Sequence, residues 1–155
     1  MYIWNINALV TDLKNRTITE KHKKRYLIFF WILVALIFLP LPLDDSYSMN
    51  NYDVIDYALF IIINGIALYF LIDIYKKRSR KDIDFFLAFV SLMTPLLLRY
   101  TIWSILLTIV GCIYIIAFAP YHSLDETNLI DVIIAVILEI IINIMFVHYF
   151  KKIYN

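Results

Sequence analysis

A chain of 155 residues that is 63% apolar and 17% charged, with a mean hydropathy of +0.77, carries more apolar surface than a water-soluble core of that size can hide. A formal net charge of +1 gives no electrostatic case for nucleic acid, and the single cysteine, Cys112, excludes an intramolecular disulfide and a cysteine-based metal cluster. No linker, repeat or low-complexity tract divides the chain, so residues 1-155 are expected to form one all-α membrane domain.

The first 25 residues form an amphipathic and basic segment. Ile3, Ile6, Val10 and Leu13 recur at helical spacing beside Trp4, with Asn7, Asp12 and Lys14 off that face, which predicts a helix lying on the inner leaflet. Thr17-Ile18-Thr19-Glu20 matches a capping box opening a helix that runs through Lys23, Lys24 and Arg25 into a first span, Tyr26–Leu43, closed by Pro40 and Pro42. That run is too long for a signal-peptide h-region and lacks a small-residue cleavage site, so no secretory signal is expected. The second span is Val54–Tyr75.

From Phe85 to Ala119 an apolar stretch of 35 residues is interrupted only by Pro95 and Arg99. As one helix it would be about 52 Å long, too long for a hydrocarbon core of roughly 30 Å at ordinary tilts. The expectation is a crossing at Tyr100–Ala119, ended by Pro120, with Phe85–Leu98 before it as an interfacial, re-entrant or protein-buried segment and a bend at Pro95. The last span is Leu129–Phe150, with Ser123-Leu124-Asp125-Glu126 as a second candidate capping box. Together these elements predict a four-transmembrane-helix bundle.

Charge orients it. Lys14, Arg16, Lys21, Lys23, Lys24 and Arg25 precede the first span, Lys76, Lys77, Arg78, Arg80 and Lys81 follow the second, and Lys151 and Lys152 follow the fourth. The other two loops carry Asp44, Asp45 and Asp53, then Asp125 and Glu126, and no Lys or Arg. The positive-inside rule then places both termini in the cytoplasm, with a bacterial inner membrane or a plasma membrane as the setting. Tyr26, Tyr75, Tyr100 and Tyr149 each fall at the cytoplasmic end of a span, as an interfacial belt would.

Polar residues inside the spans are the candidate sites. Asp131, Ala135, Glu139 and Asn143 are spaced by four and share a helix face. Glu139 sits near midspan, where a carboxylate is costly unless a proton, a cation or a hydrogen-bonding partner accompanies it. Depth counting predicts one intramembrane layer of Asn64, Thr108, Glu139 and Asn143, and a second, at the inner interface, of Asp73, Arg99 and His148. Thr101, Ser104, Thr108 and Gly111 form a small-residue ridge suited to close helix packing.

No catalytic residue, cofactor or metal site is expected. HExxH, GxSxG, a Gly-rich phosphate loop and a cysteine–histidine pair are all missing from the sequence. His122, Asp125 and Glu126 are too sparse for a metal. The basic run Lys21–Arg25 suits anionic lipid headgroups better than nucleic acid. The expected partners are the bilayer and either further copies of the chain or another membrane or cytoplasmic protein. Two functions follow: a non-enzymatic oligomer or assembly subunit (sensor, scaffold, immunity or defence component) docking through Ile3–Leu13 and Phe85–Leu98, or an oligomeric ion channel or proton-coupled transporter using Glu139. A lipid-modifying enzyme would have only Asp73, Arg99 and His148 to work with.

Overall fold

The computed structural model describes residue 2 and residues 4–37, 49–77, 83–118 and 126–155. Ile3, the closure of the first span at Pro40–Leu43, the loop residues Asp44 and Asp45, the basic residues Arg78, Arg80 and Lys81, Ala119, Pro120, His122 and Ser123–Asp125 lie outside the described residues. Among the described residues there are five helices: α1 (Ile6–Asn15), α2 (Glu20–Ile37), α3 (Asn51–Lys77), α4 (Phe85–Phe118) and α5 (Leu129–Tyr154). Among the described residues α3, α4 and α5 are long and apolar enough to cross a bilayer. The chain is an all-α membrane protein.

Helix α5 packs against both α3 and α4. α3 and α5 run parallel: near their starts Asn50 Nδ2 donates to Thr127 O at 2.8 Å, and near their ends Tyr75 meets Tyr154 edge-on with centroids 5.5 Å apart. α4 runs the other way, with Phe85 on Phe150, Phe89 on Phe146 and Gly111 against Ile134. These directions gather Lys76, Lys77, Lys151 and Lys152 at one end of the bundle and Asp53, Asp56 and Asp131 at the other.

The two parallel helices begin with the same device. The Tyr52 and Asp53 amides donate to Asn50 Oδ1 at 2.8 and 3.0 Å, and the Asn50 amide donates to Asp53 Oδ2 at 2.8 Å. Asn128 and Asp131 repeat this at α5. Reciprocal bonding of this kind satisfies otherwise orphaned first-turn donors. The cap of α5 is therefore Asn128, directly before the helix start at Leu129. The first capping box is corrected. Thr17 Oγ1 donates to Asp12 Oδ1 at 2.8 Å and helps close the end of α1, so Thr19 takes over at α2, accepting from the His22 amide at 3.4 Å.

Two larger expectations change. The apolar face of α1 (Ile6, Leu9, Val10 and Leu13) is buried in the protein, where it joins Leu92, Phe150 and Ile153, and does not lie on the leaflet. Helix α4 continues through Pro95, so Phe85–Leu98 is the first part of α4 and, of the three alternatives, is the protein-buried one. Ala88, Val90, Leu92, Pro95 and Leu96 are buried. Proline removes one backbone donor, and a long apolar helix tolerates the loss where neighbours enclose it. Beyond Thr101 the same helix turns Trp103, Ile109 and Ile113 outwards, as do Ile61 and Phe70 on α3 and Ile137 and Ile144 on α5. That is the belt a bilayer would cover.

Candidate functional site

The stripe on α5 meets a matching stripe on α3. Asp53, Asp56, Phe60, Asn64, Ala67 and Leu71 recur at intervals of three and four, which keeps them on one side of α3. Parallel packing sets that side against Ala135, Glu139 and Asn143. Asn64 Nδ2 donates to Glu139 Oε2 at 2.6 Å, and Asn143 Nδ2 donates to Asn64 Oδ1 at 3.3 Å. Glu139 is 8% exposed, although it lies in the middle of an apolar helix.

Two cavities adjoin this cluster. A cleft of about 420 Å³ between α3, α4 and α5 includes Asn64, Tyr100, Glu139 and Asn143 in its wall, together with Phe89 and Phe146. A smaller cavity of about 80 Å³ lies towards the acidic end and is lined by Asp56, Tyr100, Ala135 and Glu139. Glu139 and Tyr100 belong to both walls. No lysine, arginine or histidine among the described residues forms an ion pair with Glu139. The site is a carboxyl held by the Asn64 amide in apolar surroundings, with a second carboxyl, Asp56, on the way to the acidic end.

Of the expected intramembrane layer, Asn64, Glu139 and Asn143 come together, whereas Thr108 is exposed on α4 and takes no part. Helix α4 overhangs the start of α5, so depth counted from its outer end does not match depth along α5. A Cβ on Gly111 would lie 3.0 Å from Ile134 Cδ1, and Tyr100 is the α4 residue shared by the walls of both Glu139 cavities. The expected inner layer does not assemble. Asp73 pairs with Lys77 at 2.9 Å on its own helix, Arg99 Nη2 donates to Trp4 O at 2.8 Å, and His148 is exposed beside Tyr149. Asp131 belongs to the helix cap.

Asp56 and Tyr100 were not among the expected site residues. Asp56 was legible as the residue two turns before Asn64. Tyr100, expected in an interfacial belt, is half-buried against the cleft. Tyr26 and Tyr75 also face protein: Tyr26 is fully buried, and its hydroxyl accepts from the Tyr2 amide at 2.8 Å, while Tyr75 packs on Phe85 and Tyr154. Comparison with family models, curated proteins and solved structures finds no match to this chain. Function has to be argued from the site.

Proposed function

We propose that this is a four-span membrane protein with both termini in the cytoplasm, binding protons or cations at Glu139 as a channel or proton-coupled transporter. One observation carries the reading: a buried carboxyl in a bilayer-length helix, hydrogen-bonded to Asn64, with no basic partner and with cavities on two sides. Intramembrane carboxyls with this exposure to a cavity are the usual stations of ion and proton pathways. The fourth span is α2. Its Tyr26 lies in the buried cluster with Phe150 and Ile153 at the basic end, and α3 starts at the acidic end. The chain between them must travel the length of the bundle, and the apolar residues Ile28, Trp31 and Ile32 on α2 face outwards.

The docking reading drew on Ile3–Leu13 and Phe85–Leu98 as free apolar surfaces. Ile6, Leu9, Val10 and Leu13 of the first, and Ala88, Val90, Leu92 and Leu96 of the second, are covered within the chain, while Trp4 and Phe86 stay exposed, so the geometry favours the Glu139 reading. Reconstituted protein should carry protons down an imposed pH gradient in liposomes, and Glu139→Gln should lower that flux by roughly tenfold or more. Equal flux in both proteins, or none in either, would remove the proposal.

A further inference from the structure

The amide hydrogens of the Glu139 cluster are fully committed. Asn64 Nδ2 has two, directed to Phe60 O at 2.9 Å and Glu139 Oε2 at 2.6 Å. Asn143 Nδ2 also has two, directed to Asn64 Oδ1 at 3.3 Å and Glu139 O at 3.0 Å. An ionised carboxylate only accepts. That turns the Asn64 nitrogen towards Glu139, presents Asn64 Oδ1 to Asn143, and so fixes the second amide as well. The capacity left on these three side chains is acceptor capacity, on Glu139 Oε1 and Asn143 Oδ1. A ligand that completes the cluster must bring hydrogens.

The cleft also has two unlike ends. Tyr100, Glu139 and the two asparagines lie towards the acidic end, while Leu71, Phe89 and Phe146 line the part towards the basic end. A volume of about 420 Å³ is in the range that holds a small organic molecule. The rings of Phe60 and Tyr100 beside the carboxyl favour positive charge. Asp53, Asp56 and Asp131 raise the negative potential at the acidic approach, and the sequence has no Lys or Arg between Arg25 and Lys76 or between Arg99 and Lys151.

We infer that the cleft binds an organic cation: an amphipathic amine whose N–H groups meet Glu139 and Asn143 and whose apolar body lies against Phe89 and Phe146. A bare metal cation would leave the apolar half of the cleft unfilled, and an anion would face acceptors. The inference rests on the cation-binding role proposed for Glu139 and adds the ligand class.

The test is calorimetric titration of the full chain in lipid nanodiscs, with empty nanodiscs as the blank. The probes are 2-(1-naphthyl)ethylamine, its N,N,N-trimethyl derivative, which has no N–H, and 1-naphthaleneacetate, which reverses the charge. Saturable one-to-one binding of the amine is expected, with no binding of the acetate. The trimethyl compound, and the amine on Glu139→Gln, should each bind roughly tenfold or more weakly, as loss of a charge-assisted hydrogen bond implies. Met93→Trp, which narrows the cleft without touching a charge, should weaken the amine by a similar factor and keeps the test decisive if Glu139→Gln does not fold. Acetate binding as tight as the amine, or amine binding indifferent to both variants, overturns the inference. Absent amine binding with flux still dependent on Glu139 overturns the ligand class alone. Amine binding that depends on Glu139, without proton flux, supports the ligand class and removes the flux reading.

Discussion

Single residues at the basic end show how a short amphipathic helix is anchored. The Asp12 carboxylate accepts hydrogen bonds from the Tyr2 and Thr17 hydroxyls, and these hold its pKa below the ordinary carboxylate value, with the positive field of His22 adding to the effect. Tyr2 in turn reaches the buried Tyr26, and Arg99 holds the Trp4 carbonyl. The bonded form of Asp12 is the charged one, so the sign of the linkage is settled. Its stabilisation is complete above the free value of about 3.9 and disappears as pH falls through the lower docked value. In a Trp31→Phe/Trp103→Phe background, Trp4 emission should hold steady as pH is lowered towards about 4 and change only below it. Asp12→Asn should shift the emission at neutral pH and flatten the acid limb. An acid transition left intact in Asp12→Asn would mean that another group releases the segment.

At the scale of the helices, the caps of α3 and α5 permit a sharp comparison. Asn50→Ala and Asn128→Ala should each cost about 1 kcal/mol, as loss of a side-chain cap does. Asn50→Ala should be the worse of the two, because Asn50 Nδ2 also ties α3 to Thr127 O. Thermal unfolding in detergent would rank them, and equal shifts would show that the Thr127 bond contributes nothing. These helices were legible in the sequence: an unbroken apolar run between polar punctuation puts α3 at Val54–Tyr75, against Asn51–Lys77 in the structure, and α5 at Leu129–Phe150, against Leu129–Tyr154. The four-residue spacing of Ala135, Glu139 and Asn143 was legible for the same reason. What sequence left open was the apolar partner. Ile6–Leu13 and Phe85–Leu98 have the composition of membrane-seeking segments, yet Leu9 and Leu13 belong to one buried cluster with Ala88 and Leu92. Periodicity records that a face avoids water, not whether lipid or protein covers it. Pro95 does not end the helix, since its cost depends on what encloses it.

For the whole molecule, helix directions and charge converge on one topology. Helices α3 and α5 are parallel and α4 is antiparallel to them, so Met49 and Glu126 lie at the acidic end and Asn155 at the basic end. Helix α1 packs on α5 through a cluster containing Phe150 and Ile153, which puts Asn15 at the basic end as well. In the proposed four-span topology each helix of the bundle carries the chain once from end to end. In α2, 18 residues span about 27 Å of that path. In the proposed topology the lysines and arginines flanking the basic end turn it towards the cytoplasm. In a Cys112→Ala background, an impermeant maleimide should label Met49→Cys and Glu126→Cys on intact cells. Asn15→Cys and Asn155→Cys should react only after permeabilisation. Inverted labelling at all four positions would reverse the orientation and leave the fold intact. Labelling of Met49→Cys and Glu126→Cys from opposite sides would break the parallel pairing of α3 and α5, and with it the contact between Asn64 and Glu139 on which the proposed site depends.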